Sequence, residues 1–301
     1  MNFSLKLVEL YYAKINLATF ILNKTQLDFY GGIMSEEYDF TGLYEGDCGY
    51  FQGRLNHEEI YAMPDSDEEY ENIVGKCEFP ALRCFDFFLE EGFRRSGDYI
   101  YRATCPDCKK CVPIRIRVEN FSFSKNQRHL LKKNSDIVLS ISNSRSEMIS
   151  DEKINLMMMY QKRHDEKSGQ SFESTREMLV SMNGLEGDDC VLASPSYPGT
   201  INMDYRLNGK LIGVGVIDLG NSSLSSNYFY YDISPEIMKR SIGTFTILKE
   251  IEFCKENGIP FYYLGYYLSE CKSMVYKGRF LPHELLIDGE WIEQKEQNFD
   301  V

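Results

Sequence analysis

Cys105, Cys108 and Cys111 stand three residues apart, a spacing at which a tight turn points thiolates toward one ion, and Cys48 in Gly46-Asp47-Cys48-Gly49-Tyr50 offers a fourth ligand. Such a set suits zinc or an iron–sulfur cluster. Free thiols gathered around a turn account for the same residues, and both readings stand. Cys77, Cys84, Cys190, Cys254 and Cys271 lack this spacing and read as small core or surface residues. A second concentration is cationic: Arg115, Arg117, Lys125, Arg128, His129, Lys132 and Lys133 crowd one stretch of a chain whose net charge is -13. At helical spacing Lys125, Arg128, His129 and Lys132 share a face able to follow an RNA backbone. In Gly92-Phe93-Arg94-Arg95-Ser96-Gly97, glycines bracket two arginines whose planar forks suit a carboxylate, although a surface turn uses the same residues. Around Gly265, Tyr262, Tyr263, Tyr266 and Tyr267 precede Lys272, Met274, Tyr276 and Lys277, a pattern that lets a ligand approach the backbone closely or simply marks a core strand with a bulge. Asp218 and Asp232 close expected strands, where they can hold an ammonium or face solvent.

Several chemistries lose support. No phosphate-binding Gly-x-x-x-x-Gly-Lys-Ser/Thr loop, Gly-x-Gly-x-x-Gly fingerprint or His-Glu-x-x-His motif occurs, and His57, His129, His164 and His283 accompany no serine elbow. With 33 Lys and Arg against 46 Asp and Glu, RNA contact must be local, and no DNA partner is expected. The acidic stretch His57 to Glu78 reads as a solvated loop. No leader pattern is present, and apolar runs such as Leu211 to Leu219 fall short of the roughly 20 residues that span a bilayer, so a cytoplasmic protein without membrane partners is expected.

The elements that must position these residues follow from periodicity. Val112 to Val118 predicts a strand with arginines on one face, and Ser150 caps a helix carrying Ile154, Leu156, Met157, Met158 and Tyr160. Strands are expected at Ile201 to Arg206, Leu211 to Asp218, Ser225 to Asp232 and Phe261 to Tyr266, with a turn at Asn208-Gly209. Pro235 leads into a helix from Gly243 to Glu256 that ends at Asn257-Gly258. The spacing around Leu5 to Tyr11 predicts a helix packed on the body; translated upstream sequence is the alternative for residues 1–33.

Taken in order, the motifs resemble the bacterial aspartate/glutamate leucyltransferase family, relatives of the eukaryotic arginyl-tRNA–protein transferases. They run from Cys48-Gly-Tyr-Phe-Gln-Gly-Arg54 through Gly92-Phe-Arg-Arg-Ser-Gly-Asp-Tyr-Ile-Tyr-Arg102 and Cys105-x-x-Cys108-x-x-Cys111-Val-Pro-Ile-Arg115 to Arg163-His164. Ser241-Ile-Gly243-Thr244, Tyr263-Leu-Gly-Tyr266, Lys272-Ser-Met274-Val-Tyr-Lys277 and Phe280-Leu-Pro282-x-Glu284 complete the set. Eukaryotic relatives carry a second cysteine just after the first, where this chain has Tyr50 and Phe51, which weakens the carry-over of their metal or iron–sulfur site.

The resemblance covers about Asp47 to Trp291 and leaves residues 1–40 outside it as an extension. It implies an α+β protein with a cysteine-containing N-terminal α/β domain, taken as 41–146, and a GNAT-type acyltransferase domain, taken as 147–301, with a mixed sheet flanked by helices. It implies transfer of leucine from leucyl-tRNA to the α-amine of proteins beginning with Asp or Glu, marking them for degradation by the N-degron pathway, with no cofactor required. Arg94, Arg95, Ser96, Tyr101 and Arg115 would then read the acidic N-terminus. Lys125, Arg128, Lys132, Lys133, Arg163 and His164 would hold tRNA.

The aminoacyl ester is already activated, so holding an amine beside its carbonyl and excluding water can supply most of the rate. An N-terminal amine with a pKa of about 8 is roughly one-tenth deprotonated at neutral pH, so a strong base is unnecessary. Tyr263, Tyr266, Tyr276, Lys277 and Asp218 are the candidates for stabilising the oxyanion and moving protons. The residues leave the donor open: leucine needs an apolar pocket, whereas arginine needs a buried carboxylate.

Overall fold

Gly92 and Gly97 adopt positive φ (83° and 58°) on either side of Arg94–Ser96, so this short strand can double back along Tyr99–Ala103. The computed structural model describes residues 42–64, 66–163, 170–185 and 197–296, which fall in one compact unit. The expected extension over 1–40 lies outside them, as do His164 and Cys190.

The first sheet is antiparallel. Its strands β1 (Gly42–Asp47), β2 (Leu55–Ala62), β3 (Arg94–Ser96) and β4 (Tyr99–Ala103) lie in the order β1-β2-β4-β3. Helices α1 (Asp67–Val74) and α2 (Pro80–Glu90) connect β2 to β3. The acidic stretch is therefore not a loop: its start lies in β2, and Ser66 caps α1 by accepting from the Glu69 N–H, while Asp67, Glu68 and Glu69 fill the first turn. There the carboxylates complement the positive helix end, a use of acidic residues that composition does not distinguish from solvation.

The second sheet has eight strands in the order β12-β11-β5-β10-β9-β8-β7-β6. These are β5 (Val112–Arg117), β6 (Ile137–Ser142), β7 (Thr200–Leu207), β8 (Lys210–Leu219), β9 (Ser223–Tyr231), β10 (Phe261–Tyr267), β11 (His283–Ile287) and β12 (Glu290–Gln294). Asn208 and Gly209 both take positive φ (51° and 82°), the turn that joins β7 to β8 with the right twist. The remaining helices are α3 (Lys125–Lys133), α4 (Arg145–Met148), α5 (Asp151–Gln161), α6 (Phe172–Met182), α7 (Pro235–Met238) and α8 (Ile242–Asn257). Gly258 closes α8 in the left-handed conformation. As the crossover from β9 to β10, α8 allows these two strands to pair in parallel, which makes the sheet mixed. No helix among the described residues is long and apolar enough to cross a membrane.

Ile114 and Ile116 are fully buried with Phe245, Leu248 and Ile251 of α8. They belong to β5, which lies between β11 and β10 although it precedes residue 147. A break at 146/147 thus does not coincide with a seam in the fold, because the large sheet draws β5 and β6 from one side of it and six strands from the other.

Candidate active site

The parallel pairing of β9 and β10 covers only Ser223–Ser225 against Phe261–Tyr263. Beyond it each strand leaves register, β9 at Asn227 against β8 and β10 at Leu264 against β5. Extra residues bend strands, and where these two diverge a cleft of about 630 Å³ opens. Its wall includes Tyr101 of β4, Tyr160 and Arg163 at the end of α5, Ser226 to Phe229 of β9, the first turn of α8, Leu264 to Tyr266 of β10, and Tyr276 and Lys277.

Arg94 is 7% exposed; its Nη2 donates to the Ser226 carbonyl at 2.7 Å, and its Nη1 has no hydrogen-bond partner among the described residues. A buried guanidinium nitrogen left unpaired is costly unless a ligand completes it. Gly265, at φ 91°, makes room for it, since a Cβ there would stand 2.5 Å from Arg94 Nη1. The close approach inferred from this glycine is thus taken first by a side chain of the protein. Lys277 lies in the same wall, buried, with Nζ donating to the Tyr266 carbonyl at 2.9 Å. Burial, then the Arg94 charge, pushes its ammonium down to about 7. Tyr266 accepts from the Ala103 N–H at 3.1 Å, and burial holds the Tyr276 phenol up to about 12, so it stays protonated.

Other expected site residues are occupied elsewhere. Arg95 and Asp218 form a two-point ion pair at 3.0 and 2.7 Å, with side chains 0% and 1% exposed. Thr200 also donates to Asp218 at 2.8 Å, so Asp218 is not poised as a base and Arg95 does not face the cleft. The alternation of β3 sends its two arginines to opposite faces. Ser96, half-buried in the same strand, is also outside the wall. Arg115 donates to Glu284 at 2.6 Å and to the Tyr263 hydroxyl oxygen at 3.0 Å, pairs with Glu90, and stacks 4.1 Å from the Trp291 ring and 4.4 Å from Phe261. Arg115 and Tyr263 therefore brace β5, β10 and β12 against α2 rather than reading substrate. Asp232 is held by Lys210 and the Ser234 N–H.

The cationic residues divide similarly. Lys125, Arg128, His129, Lys132 and Lys133 are exposed on α3, whose end abuts the cleft: Lys133 Nζ donates to the Lys239 carbonyl at 2.8 Å and Asn134 to that of Arg240 at 3.0 Å, beside the rim residues Met238 and Ser241. Arg163 stacks 3.8 Å over Tyr160 at the mouth, while its neighbour His164 lies outside the described residues. Among the described residues no three His, Cys, Asp or Glu side chains are placed to hold a metal ion. Cys48, Cys105 and Cys108 nevertheless lie near enough that, after burial, their charges help raise the Cys111 thiol to about 12. Here Cys105 Sγ accepts from the His57 N–H and Cys108 from Arg54, contacts that a thiolate ligand would exchange for metal. As placed, the set does not fit a bound ion.

Sequence reading passed over Tyr50, Ser226, Asn227 and the aromatic group Tyr160, Tyr228, Tyr231. The signal available was Asn227 itself, a residue depleted from strand interiors that marks the bulge.

Residues 46–129 match the family described as arginine-tRNA-protein transferase, N terminus, and residues 152–287 the corresponding C terminus. An aspartate/glutamate leucyltransferase of Marinobacter nauticus is 37% identical over 67% of this chain and 78% of its own length. One from Alcanivorax borkumensis is 35% identical over 69% and 79%, and one from Aeromonas hydrophila is 33% identical over 81% and 90%. Among solved structures, FemX superposes with a TM-score of 0.40 at 10% identity, over 81% of this chain and 86% of that one.

Proposed function

The chain belongs to the arginine-tRNA-protein transferase family, and from that premise we propose that it transfers leucine from leucyl-tRNA to the α-amine of proteins beginning with Asp or Glu. The amine nitrogen bonds to the leucyl carbonyl carbon, the ester bond to the ribose oxygen breaks, and one amine proton passes on balance to that oxygen. The observation that carries the reading is the buried Nη1 of Arg94 in the cleft wall, unpaired among the described residues and a ready partner for an acidic side chain.

Leucine is favoured over arginine as donor because, among the described residues, no Asp or Glu lines the cleft, whereas Tyr160, Phe229, Tyr231, Met238, Ile247 and Tyr276 do. An arginyl group there would leave its guanidinium unpaired. The first turn of α8 presents helix N–H groups to the same space, which suits a phosphate or a developing oxyanion of the tRNA end. Protonated Tyr266, Tyr276 and Lys277 are the donors available to the departing ribose oxygen. From the mouth at Arg163, the rim at Met238–Ser241 and the exposed cations of α3 mark a path for the acceptor stem. Products would enter an N-degron route, and the cysteine group would take no part in the chemistry.

Labelled leucine or arginine, each supplied on its tRNA with peptides beginning with Asp, Glu or Ala, tests the proposal. Leucine on Asp and Glu but not Ala is expected; transfer of arginine alone, or no transfer, overturns it.

A further inference from the structure

In the β8–β9 hairpin Ile217 pairs with Ser226 and Val216 with Tyr228, leaving Asn227 as the extra residue. Bulges re-aim side chains, and Asn227 lines the cleft. Its amide nitrogen donates to Asp218 Oδ2 at 3.3 Å. A carboxylate only accepts, so this contact decides which end of the amide faces Asp218 and leaves the side-chain oxygen as the group Asn227 offers a ligand. Immediately before it, the Ser226 carbonyl holds Arg94 Nη2. A hydrogen-bond acceptor and a guanidinium with one nitrogen unspent are thus fastened to adjacent residues of one bulge. An N-terminal Asp or Glu presents the complementary pair, an α-amine a few bonds from a carboxylate; an internal Asp or Glu has no such amine.

We propose that Asn227 holds the acceptor's α-amine through its side-chain oxygen while Arg94 holds the side-chain carboxylate, and that Arg95 and Asp218 are the positioning pair that sets both. This deepens the function proposed above and rests on it. Asp218 is engaged by Arg95, Thr200 and Asn227 together, and Arg95 also donates to the Gly97 carbonyl. The pair therefore ties β3, one residue from Arg94, to β8 and the bulge of β9. Amine and carboxylate are read in one register, which selects a chain terminus over an internal acidic residue.

The test compares affinities for a peptide beginning with Asp and for its succinyl analogue, identical except that the α-amine is missing. Wild type should bind both, the Asp peptide more tightly. Asn227→Ala should weaken the Asp peptide about tenfold and leave the succinyl peptide unchanged, because Arg94 serves both. Equal weakening of both, or of neither, overturns the inference. Failure of wild type to bind either peptide instead removes the acidic-acceptor reading beneath it. Asp218→Asn should reduce the ratio of the two affinities as Asn227→Ala does, and the double variant should be no worse than Asn227→Ala. A pair with a purely structural role would lower Tm and the active fraction while keeping the wild-type ratio. Should Asp218→Asn not fold, Asn227→Ala decides alone.

Discussion

Arg94 and Arg95 are indistinguishable in composition and one residue apart, yet one faces the cleft and the other is locked to Asp218. An arginine pair between glycines was legible as a pair suited to a carboxylate; which of the two faces the cleft was not, because that depends on which face of β3 meets β8. The same holds for Tyr263 and Tyr266, which the bulge at Leu264 sets opposite Arg115 and Pro113 on one face of β5, yet only Tyr266 lines the cleft. Lys277 adds a pH dependence of definite sign. With its pKa pushed down to about 7 by burial and by Arg94, its neutral amine gains a proton as pH falls from 8 to 6 and places a second positive charge beside the proposed carboxylate site. The succinyl peptide, with no amine to titrate, should bind about three- to tenfold more tightly at pH 6 than at pH 8, and Lys277→Met should flatten that profile; a titration of affinity against pH checks it. Because the folded value lies below the ordinary 10.5, the unfolded chain binds more protons between about 7 and 10.5. The cost of burying Lys277 is therefore full below pH 7 and fades as pH rises through that window, so Lys277→Met should raise Tm more at pH 7 than at pH 10.

Strands and the long helix of the second half were legible because their apolar periods are regular and Asn208-Gly209 and Asn257-Gly258 punctuate them. Bulges leave a weaker trace, and the cleft depends on two of them. Gly265→Ala therefore makes a pointed test at this scale: its Cβ would strike the Arg94 guanidinium, and φ 91° strains any side chain. Selectivity for Asp over Ala acceptors should fall about tenfold or more, with Tm lowered, in transfer assays beside thermal melts. The α3 stripe yields a different outcome. Lys125→Ala with Lys132→Ala should weaken leucyl-tRNA binding and reduce the slope of log affinity against log salt by about 1.4 to 1.8, while acceptor-peptide affinity stays unchanged. Lys133 is left in place because its ammonium also braces the Lys239 carbonyl.

At the scale of the molecule, both motif-bearing stretches of sequence build one sheet. Residues 147–301 produced alone would lose β5 from between β11 and β10, and β6 from the edge, exposing Leu207, Leu264 and Leu285 of the core. That fragment should show no cooperative thermal transition and no transfer activity, measured by circular dichroism and by the peptide assay. Periodicity identified β5 as a strand, but its partners are more than a hundred residues away, and such pairing leaves no local mark. The seam it forms has a chromophore of its own. Trp291 is the chain's single tryptophan, its Nε1 donating to the Glu90 carbonyl at 3.1 Å and its ring lying 4.1 Å from the Arg115 guanidinium, while none of these three residues lines the cleft. Intrinsic fluorescence excited at the red edge of protein absorption is therefore a built-in optical gauge of how the last hairpin and α2 clasp β5, quiet when substrates dock and shifting to longer wavelength only when that clasp opens.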